Sequence, residues 1–375
     1  MRILHVVHRI YPPCFGGLSL YADKICQLLA GRGHRVEAWT TLEDARPREE
    51  ARLGYVVRRY SAAFALFENP FTFSMLPDLL RFSRFDLVVA HSHLMFTSGF
   101  ATMKSLQSDV PLVLISHGYA VRRGPIFGGL QKAYISSIGR AVACQATSVI
   151  AMTETEATRL LNLGVRSDRC VVIPPGIDST LFHPVEKVLD AKRIVWIGRF
   201  VPEKNLACLI EAAALLKKEV PDIELVLAGE GPERAKLTKL SRNLHLKVKF
   251  PGVLARDQII DLLQNAMIFV LPSIAEAFPL ALLEAMACGT PCVASAGLGL
   301  EGIVDGAGFI ADPGIPQEWA EKLKTMMTNY DLRRSMSRRA RELAVAKYDW
   351  NIVADKLEKV FLTVVDGCSD MTSRL

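Results

Sequence analysis

Two basic residues in one short segment have the types and the spacing expected of a site for a multiply charged anion. Arg199 and Lys204 lie within Trp-Ile-Gly-Arg-Phe-Val-Pro-Glu-Lys-Asn, between an apolar run and a helical one. Arginine offers a bidentate fork, lysine a point charge, and the N-terminus of the following helix adds its dipole. Together they suit a diphosphate; the competing interpretation is a pair of solvated surface cations.

Two glutamates form a second candidate cluster. Glu276 falls in a loop, Phe278 and Pro279 introduce a helix, and Glu284 lies inside that helix among apolar residues. A buried carboxylate is costly without a partner. We therefore expect Glu284 to open onto a cleft, where it can accept hydrogen bonds from hydroxyl groups.

The loop after the first apolar run holds Gly16 and Gly17 at the start of a helix. Glycines let a backbone approach a ligand closely, and a helix N-terminus at the carboxyl end of a first parallel strand favours an anion. A simple tight turn is the alternative. The dinucleotide fingerprint G-x-G-x-x-G does not follow this strand, which weighs against a dehydrogenase.

Length and composition indicate what kind of protein positions these residues. The chain has 375 residues, of which 50% are hydrophobic and 22% charged, so we expect a globular protein of about two domains. No apolar run is long enough to span a membrane, and the N-terminus does not have the pattern of a signal peptide. The sequence thus predicts a cytoplasmic protein.

Short apolar, β-branched runs alternate with helical stretches along the chain, which is typical of parallel sheets with crossover helices. The predicted strands are Ile3–Val7, Val36–Thr40, Leu87–Ala90, Leu112–Ser116, Val149–Met152 and Val171–Ile173 in the first half, and Arg193–Ile197, Ile223–Ala228, Val248–Phe250, Ile268–Leu271, Pro291–Ala294 and Gly308–Ile310 in the second. We therefore predict an α/β fold with two similar parallel-sheet domains.

The domain boundary is predicted in the aperiodic segment after Ile173, because two prolines and a glycine stop the preceding strand. We place it after Val185, which gives an N-terminal domain over 1–185 and a C-terminal domain over 186–350. Apolar residues recur at helical spacing after that. They predict a C-terminal helix over 351–375 that packs back across the junction onto the N-terminal domain.

Charge is unevenly distributed between the two halves. Residues 1–185 hold 20 Lys and Arg against 14 Asp and Glu, whereas 186–375 hold 25 of each, so the whole formal charge of +6 lies in the first half. Basic residues occur at Arg58–Arg59, at Arg122–Arg123 and through 32–52. They form either a solvated face or a surface for an anionic acceptor or anionic lipid headgroups. No nucleic acid partner is expected, because aromatic residues are not interleaved with them.

The cysteines and the acidic residues give no sign of a metal site. None of the eight cysteines forms a Cys-x-x-Cys pair, and no Asp-x-Asp occurs. We therefore expect reduced thiols and no metal cofactor.

Taken together, the motifs resemble those of glycosyltransferase family 4, also called the group 1 glycosyl transferases, which have the GT-B fold. The resemblance spans essentially the whole chain and implies two Rossmann-like domains facing across a cleft. Its components are Gly16-Gly17, Gly33 through Val36, His117-Gly118, Pro175 through Asp178, Arg199 with Lys204, Gly229 through Pro232, and Glu276 through Thr290.

The resemblance implies a role for each matching residue of the second half. Arg199 and Lys204 would neutralise the diphosphate of a sugar-nucleotide donor. Glu284 would bind the ribose hydroxyls, and Glu276 would contact the hydroxyls of the transferred sugar. The main chain near Val253 would contact the base.

Three residues of the first half also match the pattern. The resemblance implies that His117 faces the transferred sugar, and that Gly17 and Gly16 bring main-chain amides to the phosphates.

The donor loop departs from the family pattern at two positions. Ala277 and Pro279 stand where glycine is frequent, and proline removes an amide donor. Phe278 and Leu280 would complete the donor loop, and we expect the phosphate contact to move to the amide of Leu280.

The implied activity is metal-independent transfer of a sugar, with retention of anomeric configuration, from a nucleoside-diphosphate sugar to an acceptor hydroxyl. The implied acceptor is a glycan or a lipid-linked glycan, in glycolipid, polysaccharide or cell-envelope synthesis, with peripheral contact to the inner face of an anionic membrane through the basic N-terminal domain. Two alternatives stay open: a sugar-nucleotide epimerase on the same scaffold and a non-catalytic sugar-nucleotide-binding subunit.

Two further features have a structural and a functional interpretation. The segment Phe64–Phe85 is rich in phenylalanine, which indicates ordinary packing or else an acceptor groove or membrane-facing patch. His91 closes a strand, and we interpret it as a locally hydrogen-bonded histidine rather than an acceptor contact.

Overall fold

The computed structural model describes residues 1–12, 17–42, 46–66, 69–118, 125–185 and 192–372, with the side chains of 65–66, 79–81, 125–128, 130 and 368–372 left aside. The chain divides into two compact units. The first comprises Met1–Pro175 together with Asn351–Leu375, and the second comprises Gly176–Trp350.

The first unit alternates strands with helices. Its elements in chain order are β1 (Arg2–Val6), α1 (Gly17–Gly31), β2 (Arg35–Thr41), β3 (Glu49–Arg52), β4 (Tyr55–Tyr60), β5 (Phe64–Leu66), β6 (Asn69–Phe71), β7 (Leu87–His91), α2 (Phe96–Ser108), β8 (Leu112–Ile115), α3 (Pro125–Tyr134), α4 (Arg140–Gln145), β9 (Ser148–Ala151), α5 (Glu154–Leu163) and β10 (Cys170–Val172).

Eight of these strands form one sheet in the order β10-β9-β8-β7-β1-β2-β4-β3. Neighbouring strands are parallel except for β3, which runs antiparallel to β4. Every residue of β7 and β8 is buried, as expected of a sheet covered by helices on both faces. Because the strands are parallel, the carboxyl ends of β1, β7 and β8 lie side by side at one edge.

The strands predicted for the first half are all present, with ends that differ by one residue at most. The hairpin β3–β4 and the short β5–β6 pair were not predicted. The basic pair on β4 also differs from its interpretation as a free basic face: Arg59 lies 2.6 Å from Glu50 and Arg58 lies 3.2 Å from Glu37. The pair Arg122–Arg123 lies outside the described residues.

The phenylalanine-rich segment divides between core and surface. Phe82 is fully buried, whereas Phe64 and Phe73 are 53% and 45% exposed. The ring of Phe64 stacks on that of Phe71 in the β5–β6 pair, with 4.4 Å between centroids. The segment therefore contributes to packing and also presents aromatic side chains to solvent.

The second unit repeats the alternation in a second sheet. Its elements are β11 (Lys192–Ile197), α6 (Leu206–Lys217), β12 (Ile223–Ala228), α7 (Arg234–Asn243), β13 (Val248–Gly252), α8 (Arg256–Gln264), β14 (Ile268–Leu271), α9 (Leu280–Ala287), β15 (Cys292–Ser295), α10 (Glu301–Val304), β16 (Gly308–Ala311), α11 (Pro316–Thr328) and α12 (Tyr330–Tyr348).

The second sheet has six parallel strands in the order β13-β12-β11-β14-β15-β16. All the strands predicted for the second half are present, with ends within two residues. Buried side chains pack in two clusters, one around Trp196 and Trp319 and the other around Phe269 and Met286. The prediction of two parallel-sheet α/β domains is therefore confirmed.

The division between the units falls between Pro175 and Gly176, earlier than the predicted cut after Val185. Ile177 and Phe182 already pack in a core cluster of the second unit. In addition, the amide of Ile177 donates to the carbonyl of Tyr348 at 2.7 Å. The segment 176–185 therefore belongs to the second unit, because its apolar side chains pack there.

The C-terminal helix α13 (Trp350–Thr372) belongs to the first unit from Asn351 onward. Leu357 and Phe361 on this helix are fully buried. Glu358 accepts hydrogen bonds at 2.6 Å from Arg32 and at 2.7 Å from His34, near the end of α1. None of the described helices is both long enough and apolar enough to cross a membrane.

Candidate functional site

The loop that carries Arg199 follows the central strand β11 of the second sheet. The amide of Gly198 donates to the carbonyl of Ala228 at 3.0 Å, and the amide of Phe200 donates to that of Glu230 at 2.8 Å. These bonds tie the loop to the neighbouring loop after β12. They fix the backbone on both sides of Arg199.

Two glycines allow this close approach. A Cβ atom on Gly229 would lie 1.8 Å from the carbonyl oxygen of Gly198, and one on Gly231 would lie 2.5 Å from that of Phe200. Gly229 also has φ +129, a conformation that other residues rarely adopt. The Gly-Glu-Gly sequence is therefore needed to seat the loop that carries Arg199.

Lys204 ends a single 3₁₀ turn, Pro202–Lys204, that leads into α6. Asn205 follows in a left-handed conformation at φ 52, and its side-chain amide donates to the carbonyl of Pro313 at 2.7 Å. Proline at the start of the turn and asparagine at its end both suit these positions. The turn therefore gives Lys204 a defined place at the start of α6.

Lys204 and Glu276 form an ion pair. The Nζ atom of Lys204 lies 2.6 Å from Oε1 of Glu276, and the hydroxyl of Ser273 donates to the same oxygen at 2.7 Å. The side chains of Lys204 and Glu276 are 20% and 10% exposed, and Ser273 is fully buried. Both hydrogen bonds fall on Oε1, so Oε2 keeps its capacity to accept hydrogen bonds from a ligand.

Arg199 is the uncompensated cation of this group. Its side chain is exposed, and its guanidinium makes no hydrogen bond or ion pair with any residue in the described part of the chain. Lys204 has one of its three N–H donors engaged by Glu276 and two that remain. Together the two cations offer donors to an anion from the loop after β11.

Glu284 is the fifth residue of α9 and is half-buried. Its carboxylate accepts no hydrogen bond from the residues that the structure describes. Burial raises the pKa of Glu284 to about 6, and the charge of Arg256 opposes that rise. Glu284 is thus a carboxylate in an apolar helix that accepts no hydrogen bond from a described residue, and its contact with hydroxyl groups stays a prediction.

The remaining predicted residues of the second half also lie in loops that follow strands. Leu280 begins α9 directly after Phe278 and Pro279, and the first amides of a helix have no acceptor within it. Val253 follows β13 and is 78% exposed. The preceding Gly252 accepts a hydrogen bond at 2.7 Å from the amide of Gly229, which links this loop to the one beside Arg199.

In the first unit, His117 ends a chain of three imidazoles. Its Nε2 lies 3.0 Å from Nδ1 of His91, and Nε2 of His91 lies 3.0 Å from Nδ1 of His5. The three residues come from the carboxyl ends of β8, β7 and β1. Burial lowers the pKa of His117 and of His5 to about 3, and it also lowers that of His91, so the rings are neutral at physiological pH. The interpretation of His91 as a hydrogen-bonded histidine agrees with these contacts.

Glu156 on α5 holds the backbone around His117. It accepts hydrogen bonds from the hydroxyl of Ser116 and the amide of Gly118 on Oε1, each at 2.5 Å, and from the amide of Met152 on Oε2 at 2.9 Å. Gly118 has φ 63, which glycine adopts without strain. The loop that carries His117 is therefore fixed on its main-chain side as well as through its ring.

Gly17 is the first residue of α1, and Gly16 lies outside the described residues. The exposed Gly17 thus stands at a helix N-terminus after β1. As for metals, no group of three or more His, Cys, Asp or Glu side chains in the described parts of the chain is placed to hold an ion.

The structure brings Lys204 and Glu276 into contact. Of the other predicted residues that it describes, Arg199, Val253, Phe278 and His117 lie in loops after strands, Gly17 and Leu280 begin helices, and Glu284 lies within α9. Three partners of these residues, Ser273, His5 and Glu156, were not predicted from the sequence. Ser273 could have been found from its place directly after β14, three residues before Glu276. The position of His5 near the end of the first predicted strand was a signal of the same kind.

Two family models cover most of the chain. Residues 15–181 match the model described as Glycosyltransferase Family 4, and residues 179–343 match the model described as Glycosyl transferases group 1. Among curated relatives, the D-inositol 3-phosphate glycosyltransferase of Nocardiopsis dassonvillei is 30% identical, over 92% of this chain and 89% of its own length.

Solved structures share the fold at low identity. The sucrose-phosphate synthase from Thermosynechococcus elongatus superposes with a TM-score of 0.80 at 20% identity, covering 98% of this chain and 99% of that one. HepE from Anabaena, in complex with UDP-glucose, has a TM-score of 0.73 at 20% identity, and each chain is covered completely, at 100%. Both similarities concern the architecture of the chain.

Proposed function

Because the chain belongs to the group 1 glycosyl transferases of glycosyltransferase family 4, with the GT-B fold, we propose that it transfers a sugar from a nucleoside-diphosphate sugar to an acceptor hydroxyl with retention of anomeric configuration. The observation that carries this proposal is the ion pair of Lys204 with Glu276 at 2.6 Å, with Arg199 on the same loop after β11 as Lys204. It joins a cation suited to a diphosphate to a carboxylate suited to sugar hydroxyls.

The donor diphosphate binds at Arg199 and Lys204. When the bond to the anomeric carbon breaks, negative charge grows on the β-phosphate, and pre-set cations and amides stabilise that charge by about 3–4 kcal/mol for each well-aimed donor. The first amides of α9, beginning with Leu280 after Phe278, add to this stabilisation. The departure of the diphosphate then proceeds without a metal ion.

The remaining groups recognise the rest of the donor. Glu284 accepts hydrogen bonds from the ribose hydroxyls, and the main chain at Val253 contacts the base. Oε2 of Glu276 and the ring of His117 contact hydroxyls of the transferred sugar, while the amides at Gly17 and Gly16 contact phosphate oxygens. The acceptor attacks the face from which the diphosphate leaves, and a phosphate oxygen takes the acceptor proton, so no dedicated base is required.

The donor base and the acceptor are proposed from chemistry and from the named relatives. HepE is in complex with UDP-glucose, so uridine diphosphate sugars are the first donors to test. The relatives are named for D-inositol 3-phosphate, a phosphorylated polyol, and the positive charge of residues 1–185 also favours an anionic acceptor. Glycans and lipid-linked glycans are the other acceptor class.

One experiment separates this function from its alternatives. The protein is incubated with uridine, guanosine and adenosine diphosphate sugars, and free nucleoside diphosphate is measured with and without an acceptor. Release that depends on the acceptor supports glycosyl transfer, and the anomeric configuration of the product tests retention. Conversion of the sugar nucleotide into its epimer, or binding without turnover on any acceptor, would overturn the proposal in favour of an epimerase or a binding subunit.

We also propose peripheral contact of the first unit with an anionic membrane. The observation that favours it is the exposure of Phe64 and Phe73 together with the net positive charge of 1–185. Sedimentation with vesicles that contain anionic lipid tests this contact. The expected result is binding that weakens when both phenylalanines are replaced by serine, and equal binding of both proteins would contradict it.

A further inference from the structure

The three imidazoles of the first unit form a continuous chain that runs from the sheet interior to His117. His5 and His91 are fully buried, whereas His117 is half-buried. The two links in the chain are each 3.0 Å long. The ring of Tyr21 lies edge-on to His117, with centroids 5.1 Å apart, and limits its rotation.

The inner end of this chain has no partner. Nε2 of His5 is buried and makes no hydrogen bond within the described part of the chain. At the outer end, Nδ1 of His117 makes no hydrogen bond to a described residue either, but it does not belong to the fully buried atoms. The chain of imidazoles therefore ends at a buried nitrogen, Nε2 of His5, and at an accessible one, Nδ1 of His117.

Each neutral imidazole has one protonated nitrogen. If both contacts between the rings are hydrogen bonds, the three protons can be arranged in only two ways. In the first, Nδ1–H of His5 donates to His91, Nδ1–H of His91 donates to His117, and His117 keeps a proton on Nδ1. In the second, every donor is reversed, and His5 buries an N–H group without an acceptor.

The first arrangement is the more stable one. Both arrangements make the same two hydrogen bonds and differ only in what stays unpaired at Nε2 of His5. An orphaned buried N–H group is rarer in proteins than an under-satisfied acceptor. The second arrangement has such a donor on His5, whereas the first leaves only a lone pair there. The absence of an acceptor at Nε2 of His5 among the described residues thus favours the arrangement in which His117 carries its proton on Nδ1.

We propose that His5 and His91 are positioning residues that fix His117 as the Nδ1–H tautomer, so that His117 acts as a hydrogen-bond donor toward an oxygen of a bound ligand. The contact of that N–H with the donor sugar rests on the proposed function, but the tautomer itself does not. A ring held in this way donates to a hydroxyl or phosphate oxygen and cannot accept a proton at Nδ1.

The tautomer is measured directly on the full chain labelled with ¹⁵N-histidine, by long-range ¹H–¹⁵N correlation without any ligand. The expected result is a protonated Nδ1 and an unprotonated Nε2 on His117. A protonated Nε2 on His117, or a mixture of the two forms, overturns the proposal. This outcome is independent of whether the protein transfers sugar, so it is distinguishable from a failure of the proposed function.

Two substitutions of His91 test the link. His91→Asn places an amide donor close to the position of Nδ1, and the Nδ1–H tautomer of His117 should persist. His91→Leu removes the donor, and the tautomer should become mixed while kcat falls by about tenfold or more. His93→Asn replaces another buried histidine of the same loop that is not a member of the chain, and it should leave the tautomer of His117 unchanged.

Folding is checked separately by the melting temperature of each variant. If His91→Leu does not fold, the comparison of wild-type protein with His91→Asn still decides the matter, because loss of the Nδ1–H signal in His91→Asn, or its absence in the wild type, contradicts the proposal. An unchanged tautomer in a folded His91→Leu protein contradicts it as well.

Discussion

Lys204 and Glu276 share a hydrogen bond, so a change to one alters the other. Lys204→Ala removes a cation from the diphosphate and leaves the carboxylate of Glu276, whose side chain is 10% exposed, without its counter-ion. We expect kcat/KM to fall at least about 100-fold, or about 2.7 kcal/mol. Lys218→Ala, at an exposed lysine on the same segment, should have no effect. A loss smaller than about threefold would remove Lys204 from the site.

The two glutamates should differ in what they bind. In the proposed function Glu284 accepts hydrogen bonds from ribose hydroxyls, so Glu284→Gln should weaken the binding of free nucleoside diphosphate by about 1.5–3 kcal/mol. Glu276→Gln keeps an oxygen that can accept the hydrogen bond from Lys204, so it should leave that affinity nearly unchanged. It should lower kcat with the intact donor, because in the proposed function Glu276 contacts the sugar. Calorimetric titration with the bare nucleotide decides between them. Equal losses in both variants, or a loss in Glu276→Gln alone, would show that the roles are assigned wrongly.

The ionised side chain of Glu284 should also lower the free energy of unfolding. Burial raises its pKa to about 6 from the usual 4.5, so the folded protein disfavours the carboxylate that the unfolded chain carries freely. The penalty on folding levels off about one pH unit above 6 and disappears as pH falls below 4.5. Glu284→Gln should therefore raise the free energy of unfolding at pH 8 by about 2 kcal/mol, since one pKa unit is worth about 1.4 kcal/mol.

Denaturant unfolding at pH 8 and pH 5 measures this difference for Glu284→Gln. Glu342→Gln, at an exposed helix position, serves as the control and should change stability at neither pH. A Glu284→Gln protein no more stable than the wild type at pH 8 would contradict the assigned burial.

At the scale of elements, the loop after β11 depends on the loop after β12. Gly229→Ala would place a Cβ atom 1.8 Å from the carbonyl oxygen of Gly198, at a φ of +129. We expect the unfolding free energy to fall by about 3 kcal/mol or more, from backbone strain and overpacking together, and donor binding to weaken with the displaced loop. Gly302→Ala, with nothing within 4 Å of the added atom, is the control. Similar melting temperatures for the two variants would contradict this account.

The strands that could be predicted are those whose buried positions are occupied by apolar residues. β14, for example, is Ile-Phe-Val-Leu and is buried at every position, so its apolar run reveals it. β3 is Glu-Glu-Ala-Arg, and β4 ends in Arg-Arg-Tyr. Their charged side chains pair with one another across the strands, as Arg59 does with Glu50. A strand stabilised by ion pairs at an edge has no hydrophobic signal in the sequence.

The candidate site residues that were predicted belong to short sequence motifs. Those that were missed make contacts that depend on how neighbouring strands are aligned. Arg199, Lys204 and Glu276 follow strands that the sequence reveals, and Glu284 lies in a helix that it reveals. By contrast, the contact of His5 with His91 depends on β1 pairing with β7 in a particular register, in which His5 stands opposite Val89. Sequence spacing cannot supply that alignment.

At the scale of the whole molecule, turnover should not depend on a divalent metal. In the proposed function, Arg199 and Lys204 neutralise the charge that a metal would otherwise meet, and the sequence contains no Asp-x-Asp. Activity should therefore persist in excess EDTA at the level of an untreated sample. Loss of turnover with EDTA that is restored by Mg²⁺ or Mn²⁺ would contradict stabilisation of the leaving group by side chains and amides alone.

The return of α13 to the first unit has a consequence for biosynthesis. The ribosome delivers Met1–Pro175 first, but the helix that buries Leu357 and Phe361 against this unit follows only after the whole of Gly176–Trp350. Until α13 is synthesised, the first unit has an uncovered apolar surface. Arg32 and His34 also do not yet have their hydrogen bonds to Glu358. The second unit, which is continuous in sequence, is complete as soon as it leaves the exit tunnel, so the unit that is made first is the one that finishes folding last.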